Sequence, residues 1–343
     1  MNNLDTQTIE LIEREYVHGE TPWALGYSGG KDSTAMLKLV YNALLSVNKP
    51  TKHIKVVYCD TGVEIPVVSN YVKKVFKSFN EEINESGLPI ITEIVEPVTE
   101  ERFFAKVIGR GYPTPTNKFR WCTDRLRIRP IQYSMLNDKF IILVGVRKGE
   151  SLERDKIITK NEQGNGHFLK QDKYSSIRIF APIINYNVEN VWETIRSNYS
   201  PTSLFTNELE LIYMLSGSSN NDFQSISTDI LSGGRLGCWT CTVIRKDKAT
   251  RNLIDNGYNS LEPLYNYRNW LVSIRDKLEY RSKFRRNGVA GKGPFTVEAR
   301  KMMLDKLLKA QSETEYEIIG EEEIDIIKKY WHEDLKNPNY REQ

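Results

Sequence analysis

Cysteine and histidine are scarce: the 343 residues hold four of each. Four cysteines in so long a chain do not make a disulfide scaffold, so their thiols stay available for chemistry. The histidines are His18, His53, His167 and His332. None stands at metal-ligand spacing and none pairs with a cysteine as a base would, so all four read as non-catalytic. No apolar run approaches the roughly 20 residues of a membrane span. The opening stretch, MNNLDTQTIELIEREY, is acidic and polar, unlike a signal peptide. The expectation is a cytoplasmic protein with no membrane partner. Repeats and low-complexity tracts are missing as well, and so is the G-x-x-x-x-G-K-S/T spacing of a Walker A loop.

What the chain does hold is GYSGGKDSTAML, residues 26 to 37, a compressed glycine loop between an apolar run and a helical pattern. Glycines permit positive φ and let backbone N–H groups approach an anion closely. The helix that follows offers its N-terminal N–H groups and positive dipole end. Lys31 adds a mobile charge, and Ser28 and Ser33 add hydroxyls. This loop suits a pyrophosphate.

The spacing predicts strands at Trp23 to Tyr27, His53 to Cys59, Ile90 to Val95 and Phe140 to Val146, with helices over 5–17, Thr34 to Leu45 and Val67 to Phe79. Strands alternating with helices argue for an α/β fold, a Rossmann-like parallel sheet covered on both faces. Ligands of such sheets sit beyond the carboxyl ends of the strands. Three polar loops lie there: SGGKDS, DTGVE and RKGESLER. Beyond them, 161–175 reads as a surface loop and 216–236, rich in Ser, Gly and Asn, as a lid or linker. From Pro263 the chain reads as helical, basic and aromatic. A soft boundary near residue 200 divides an α/β unit, 1–200, from a mainly helical region, 201–343.

The net charge of +3 says less than its distribution. Residues 110 to 130 carry six basic groups against Asp124 alone, and 275 to 292 carry seven against Asp276 and Glu279. Such stretches are either surfaces for an anionic partner or ordinary solvated helix faces.

SGGKDS after a first strand resembles the PP-loop of the ATP pyrophosphatase superfamily. YCDTGVE, GVRKGESLERDK and APIINYNVENVWETI resemble the corresponding elements of its phosphoadenylylsulfate (PAPS) reductase-like branch, over roughly residues 20 to 200. RWCTDRLRIRP, GCWTCTVIRKDK and RRNGVAGKGPFTVEAR narrow the match. Together they resemble the Dnd-type DNA phosphorothioation sulfurtransferases and their Ssp-type counterparts. The resemblance implies an enzyme that uses ATP and Mg²⁺ to adenylylate a phosphate oxygen of DNA, releasing pyrophosphate, before sulfur displaces AMP. It implies a cysteine desulfurase as sulfur donor and further subunits of a phosphorothioation system as partners.

On that basis Ser28, Gly29, Gly30, Lys31, Asp32 and Ser33 are assigned to ATP, with Lys31 and Asp32 essential to catalysis. Asp60, Thr61 and Gly62 form the nucleotide turn, with Asp60 either a contact to adenosine or metal or a turn cap. Arg147 and Arg154 are assigned to the phosphates or to surface ion pairs. Arg120, Arg125, Arg127, Arg285 and Arg286 are the DNA candidates. Trp121, Trp239 and Tyr133 could stack on bases, shield a cluster or fill the core.

Cys59 ends an apolar strand and reads as packing. Cys122 lies among positive charges, which would lower its pKa and make it a catalytic thiol. Cys238 and Cys241 form a single C-x-x-C. Three readings stay open. Cys122, Cys238 and Cys241 could hold a [4Fe-4S] cluster with one open iron, as in some thiolation members of the superfamily. The C-x-x-C could be a redox or persulfide relay, or it could bind zinc. A PAPS or adenylylsulfate reductase would need a later cysteine, and none follows Cys241. A tRNA thiolase would use the same cluster logic on another substrate.

Overall fold

The structure is a computed structural model that describes residues 3–135, 139–164, 166–170, 178–217 and 236–336. At its centre is β1, Trp23–Gly26, whose first three residues are buried. Such a continuous apolar run suits a strand covered on both faces. On one side β1 pairs in parallel with β2, Ile54–Cys59, and β2 with β3, Ile90–Val95; Leu25 sits opposite Val56. On the other side β1 pairs in parallel with β4, Ile141–Leu143, which brings Leu25 beside Leu143. β4 pairs in parallel with Arg178–Phe180, the last strand in sequence.

Two short antiparallel strands, Glu162–Gln163 (β5) and Phe168–Lys170 (β6), extend that edge, so Arg178–Phe180 is β7 and the order is β3-β2-β1-β4-β7-β6-β5. The surface loop expected over 161–175 is therefore in part an edge hairpin. Aromatic stacking of Phe168 on Phe180, centroids 5.0 Å apart, supplies the cross-strand contact. The lid expected over 216–236 lies almost entirely outside the described residues.

Chain direction reverses its lateral walk between β1 and β4. β2 and β3 extend the sheet one way, and β4 and β7 the other. This is a topological switch point, where a crevice opens beyond the strands' carboxyl ends. Helix α2, Lys31–Ser46, starts at that crevice and is buried along most of its length between α1, Asn3–Val17, and a helix over Val188–Arg196. Lys38 on α2 is buried with it and donates to the carbonyls of Ile195 (3.1 Å) and Ser197 (2.5 Å), at the C-terminal end of Val188–Arg196. Burial pushes Lys38 down to about 8, and the nearby Asp5 opposes that shift. Helix α3, Pro66–Ser86, opens with proline and closes on Gly87 at φ +66°.

The single large core runs on through residue 200: Leu209, Tyr267, Leu271 and Met303 belong to the same apolar cluster as Leu25 and Val56. The region after Pro263 is not uniformly helical. Helices Glu262–Ile274 and Val297–Ser312 are separated over 281–293 by a turn-rich hairpin segment, closed by Arg285 N to Val289 O and Gly291 N to Lys283 O, and Glu321–Lys336 follows. Gly293 is needed there, because a Cβ would lie 1.9 Å from the Phe284 carbonyl oxygen. No helix among the described residues is long and apolar enough to cross a membrane.

Two buried carboxylates hold the helix Glu321–Lys336 in place, one through hydrogen bonds within the second half of the chain and one against its first half. Asp334 accepts from Arg300 (2.8 Å) and Arg286 (2.6 and 2.9 Å). Glu323 accepts from the backbone N–H of Ala105 at 2.9 Å. Burial pushes the Glu323 carboxyl up to about 7, against the Ala105 hydrogen bond and the Arg102 charge, with Glu322 adding to the rise. A carboxyl raised on folding stabilises the fold fully below its unfolded pKa, and that contribution is lost as pH climbs through the folded value. Unfolding titrations from pH 5 to pH 8 should show the protein losing up to about 3 kcal/mol that Glu323→Gln does not lose. Parallel pH profiles for the two proteins would remove Glu323 as the cause.

Candidate active site

The phosphate loop emerges from β1 and folds on itself. The Ser33 hydroxyl donates to the Gly30 carbonyl at 2.9 Å and accepts from Ser28 N at 3.2 Å. The Ser28 hydroxyl accepts from Gly30 N at 3.4 Å. Gly29 sits at φ +72°, and a Cβ there would lie 2.3 Å from a methyl carbon of fully buried Val72. A second glycine supports the loop from β4's end: a Cβ on Gly145 would lie 3.0 Å from the backbone of Asp32 and Ser33.

Lys31 is buried rather than exposed, contrary to the usual placement of loop residues. Its Nζ lies 3.7 Å from Asp32 Oδ2 and 5.0 Å from the centroid of the Tyr213 ring. Arg147, 4% exposed, donates to Asp32 Oδ1 at 2.5 Å and to the Tyr186 carbonyl at 3.2 Å. It therefore belongs to the loop's wall. Arg154 does not reach the loop's ion pairs. It caps nothing there, stays exposed and pairs with Glu150 one helical turn away.

At the end of β2, Asp60 accepts from Gly62 N at 2.9 Å and pairs with Lys73 at 3.2 Å, which makes it a turn cap. Thr61 donates to the Glu64 carboxylate through its N–H (3.0 Å) and its hydroxyl (2.6 Å). Burial raises Glu64 above the usual carboxylate range.

The C-x-x-C segment docks on this same turn. Trp239 N donates to Val63 O at 3.0 Å, and Ile65 N donates to Gly237 O at 3.3 Å. Cys241 N donates to Cys238 O at 3.1 Å and closes the turn between the two thiols. Buried Arg268 holds the turn from behind, donating to the carbonyls of Cys241, Ile244 and Arg245. Cys122 arrives from a helical stretch made of Trp121–Thr123, Asp124–Ile128 and Arg129–Ser134, whose middle piece is a wide π turn.

Burial raises Cys122, and the neighbouring Cys241 raises it further. This corrects the expectation of a pKa lowered by nearby cations. The arginines on this stretch are engaged elsewhere: Arg125 pairs with Glu101 and Arg129 with Asp124. Cys238 is pushed up to about 12 by burial and by Glu64, while Arg127, 3.9 Å from its sulfur, lowers it; Cys241 and Cys122 add to the rise. Cys122, Cys238 and Cys241 influence one another electrostatically, and all four cysteines are free thiols. Cys59 stands apart, its thiol donating to the Leu126 carbonyl at 3.0 Å.

Trp121 and Trp239 are buried, stacked on Phe103 and tilted against Phe104, and so unavailable to bases; Tyr133 is exposed. Among the DNA candidates, Arg120, Arg127 and Arg285 are exposed. Arg125 and Arg286 are not free for phosphate contact, because Glu101 and Asp334 hold them, and Arg127, though exposed, pairs with Glu64 at 3.6 Å. Three residues that shape the site had no signal strong enough to single them out: Tyr213, Glu64 and Gly145. Gly145 and Glu64 stood in quoted stretches, GVRKGESLERDK and YCDTGVE, while Tyr213 stood in none.

The chain belongs to the phosphoadenosine phosphosulfate reductase domain family, whose model matches residues 22–244. It therefore carries a PAPS reductase-like nucleotide-binding domain. Among its relatives, the Methanocaldococcus jannaschii protein MJ0066 is 27% identical over 195 residues, 56% of this chain and 35% of that protein. A second protein of that organism, MJ0973, is 26% identical over 202 residues, 58% of this chain and 42% of its own. The chain spans less than half the length of both. Similar solved structures include PAPS reductase from Candida auris, at 17% identity and TM-score 0.39, covering 66% of this chain and 97% of that one. The U34-tRNA thiolase NcsA from Methanococcus maripaludis, solved with its [4Fe-4S] cluster, is 12% identical with TM-score 0.38, covering 80% and 79%.

Gly29 is the sharpest steric test of the loop. Gly29→Ala should cost roughly 2–5 kcal/mol, from the left-handed backbone and the overlap with Val72 together. Adding Val72→Ala should return part of that in a denaturant melt, whereas no recovery would place the cost elsewhere.

Proposed function

We propose that this protein is an ATP-dependent sulfurtransferase that replaces a non-bridging phosphate oxygen of DNA with sulfur. The observation that carries the reading is the docking of the C-x-x-C turn on the loop after β2, one strand over from the phosphate loop after β1. Thiols of the chain's second half and a phosphate loop of its first half share one end of the sheet.

The chemistry balances in two steps. A phosphodiester oxygen attacks the α-phosphorus of ATP, and pyrophosphate leaves. The oxygen now bridges DNA phosphorus and AMP, which turns it into a leaving group. Sulfide then attacks the DNA phosphorus, and AMP departs with that oxygen. The backbone N–H groups of Gly29 and Gly30, the start of α2 and Lys31 stabilise the departing pyrophosphate charge. Mg²⁺ would accompany the phosphates. Arg147 fixes the Asp32 carboxylate beside Lys31.

The three gathered thiols fit an iron–sulfur cluster in donor type, since thiolates are its usual ligands. Among the described residues, no set of three or more His, Cys, Asp or Glu groups is drawn around one point as a single metal ion requires. A cluster spreads its thiolates wider than one ion does. Cys122, Cys238 and Cys241 would hold it, and it would supply a site for the incoming sulfide. Burial disfavours the free thiolates, so metal binding would stabilise the charged form that the fold alone resists. A cysteine desulfurase and other subunits of a phosphorothioation system are the partners this reading requires. Exposed Arg120 and Arg285 would meet DNA phosphates, with Arg127, paired to Glu64, beside the thiols.

Turnover should yield AMP and pyrophosphate, and Lys31→Ala should abolish it. ADP and inorganic phosphate as products would refute the adenylylation step. Anaerobically prepared protein should contain iron with visible charge-transfer absorbance, lost in each of Cys122→Ser, Cys238→Ser and Cys241→Ser but kept in Cys59→Ser. Retention of iron in all three would refute the ligand assignment. DNA affinity should fall steeply with salt, and Arg120→Ala and Arg285→Ala should each reduce the log–log slope by about one. RNA binding and thiolation in place of DNA would assign the same site to a tRNA thiolase.

A further inference from the structure

We infer that Tyr213 is a positioning residue of the phosphate loop, setting Lys31 through two separate contacts. The inference rests on the nucleotide reading of that loop. Tyr213 lies on the helix Thr206–Gly217, beyond the α/β strands and 182 residues from Lys31 in sequence. Its hydroxyl accepts from the backbone N–H of Lys31 at 3.2 Å. That N–H belongs to the first turn of α2, where donors have no partner within the helix. Its ring faces the Lys31 ammonium at 5.0 Å, within reach of a cation–π attraction.

The placement is enforced from all sides. Tyr213 is 5% exposed, and Trp192 meets its ring edge-on, centroids 5.3 Å apart at 81°. The helix end is held by Asn252 and Asn256, whose side chains donate to the carbonyls of Ser216 (2.9 Å) and Leu215 (3.0 Å). The ammonium also lies 3.7 Å from Asp32, itself gripped by Arg147. Lys31 therefore has an aromatic face and a carboxylate as neighbours. Four side chains from three parts of the chain, Arg147 after β4, Asp32 and Lys31 on α2, and Tyr213 on Thr206–Gly217, form one chain of contacts. The loop's own geometry also depends on the tyrosine: a Cβ on Gly30 would lie 3.3 Å from the Tyr213 hydroxyl, so the backbone there runs directly against it. Burial raises the Tyr213 pKa, which keeps the hydroxyl protonated at every physiological pH.

A long side chain such as lysine loses affinity for a phosphate when it must be ordered at the moment of binding. A ring that orders it beforehand removes part of that loss. Removing the ring should therefore weaken ATP binding through Lys31, and not otherwise.

The experiment is a double-mutant cycle on ATP affinity, read by equilibrium binding with the full chain, with thermal melts run alongside. Tyr213→Phe keeps the ring and drops the hydroxyl, and should weaken ATP by about two- to tenfold. Tyr213→Leu also drops the ring, and the step from Phe to Leu should cost a further two- to thirtyfold, roughly the range of a cation–π contact. In a Lys31→Met background the Phe-to-Leu step should vanish, because no ammonium remains. An equal Phe-to-Leu loss in both backgrounds would overturn the proposal and leave Tyr213 as packing. Should Tyr213→Leu fail to fold, Tyr213→Phe decides alone: an unchanged ATP affinity overturns the hydroxyl contact. If instead Lys31→Met itself leaves ATP binding untouched, the nucleotide reading of the loop fails, and the cycle separates that outcome from the failure of Tyr213.

Discussion

Two close approaches of backbone to neighbour hold the phosphate loop in place, and the rest of the site depends on them. Gly29 turns at positive φ against buried Val72 of α3, and Gly145, beyond β4, lets that strand's exit loop touch the backbone of Asp32 and Ser33. No side chain fits at either point. The first contact fixes the loop against the layer of helices. The second fixes it against the sheet at the switch point between β1 and β4. With the loop so wedged, α2 starts at the crevice, and Lys31 lies beside Asp32 and the Tyr213 ring. Arg147, on the same exit loop, then reaches Asp32 because the missing Cβ of Gly145 lets that loop lie against the phosphate loop.

The thiol site is assembled on the same frame by a different force. Its three cysteines come from two distant segments, and the C-x-x-C turn is fastened by backbone hydrogen bonds to the turn after β2 and by a buried guanidinium, Arg268, behind it. Burying thiols is cheap while they are neutral and costly once they are charged. The raised values of Cys122 and Cys238 express that cost. One cation, Arg127, stands near Cys238, and it is shared with Glu64. A positively charged metal group would meet the remaining demand for countercharge, which is why the thiol chemistry and the proposed cluster belong to one argument.

The second half of the chain is more than an appendage to the α/β unit. Tyr213 supports the loop lysine, Cys238 and Cys241 sit on the strand-end turn, and Asp334 and Glu323 clamp the terminal helix to residues near 105 and 300. Nucleotide site and thiol site therefore share one continuous core. That continuity gives the proposed two-step transfer its economy, since the activated phosphate need not move between separate bodies.

The strands β1 to β4, helices α1 to α3 and the SGGKDS loop were legible in the sequence, because apolar periodicity and glycine placement are local signals. The parallel sheet followed from their alternation. The wedge at Gly145 was not legible, since a glycine's role depends on what lies across from it. Nor was the thiol environment: arginines crowd Cys122 in sequence, yet Glu101 and Asp124 draw Arg125 and Arg129 away, and burial governs instead. Arg286 likewise reads as a surface cation until Asp334, 48 residues later, is seen to hold it. The sequence by itself determined the local elements and the make-up of the glycine loop. Only the tertiary structure decided which charges are spent on one another, because partners distant in the chain set burial and ion pairing.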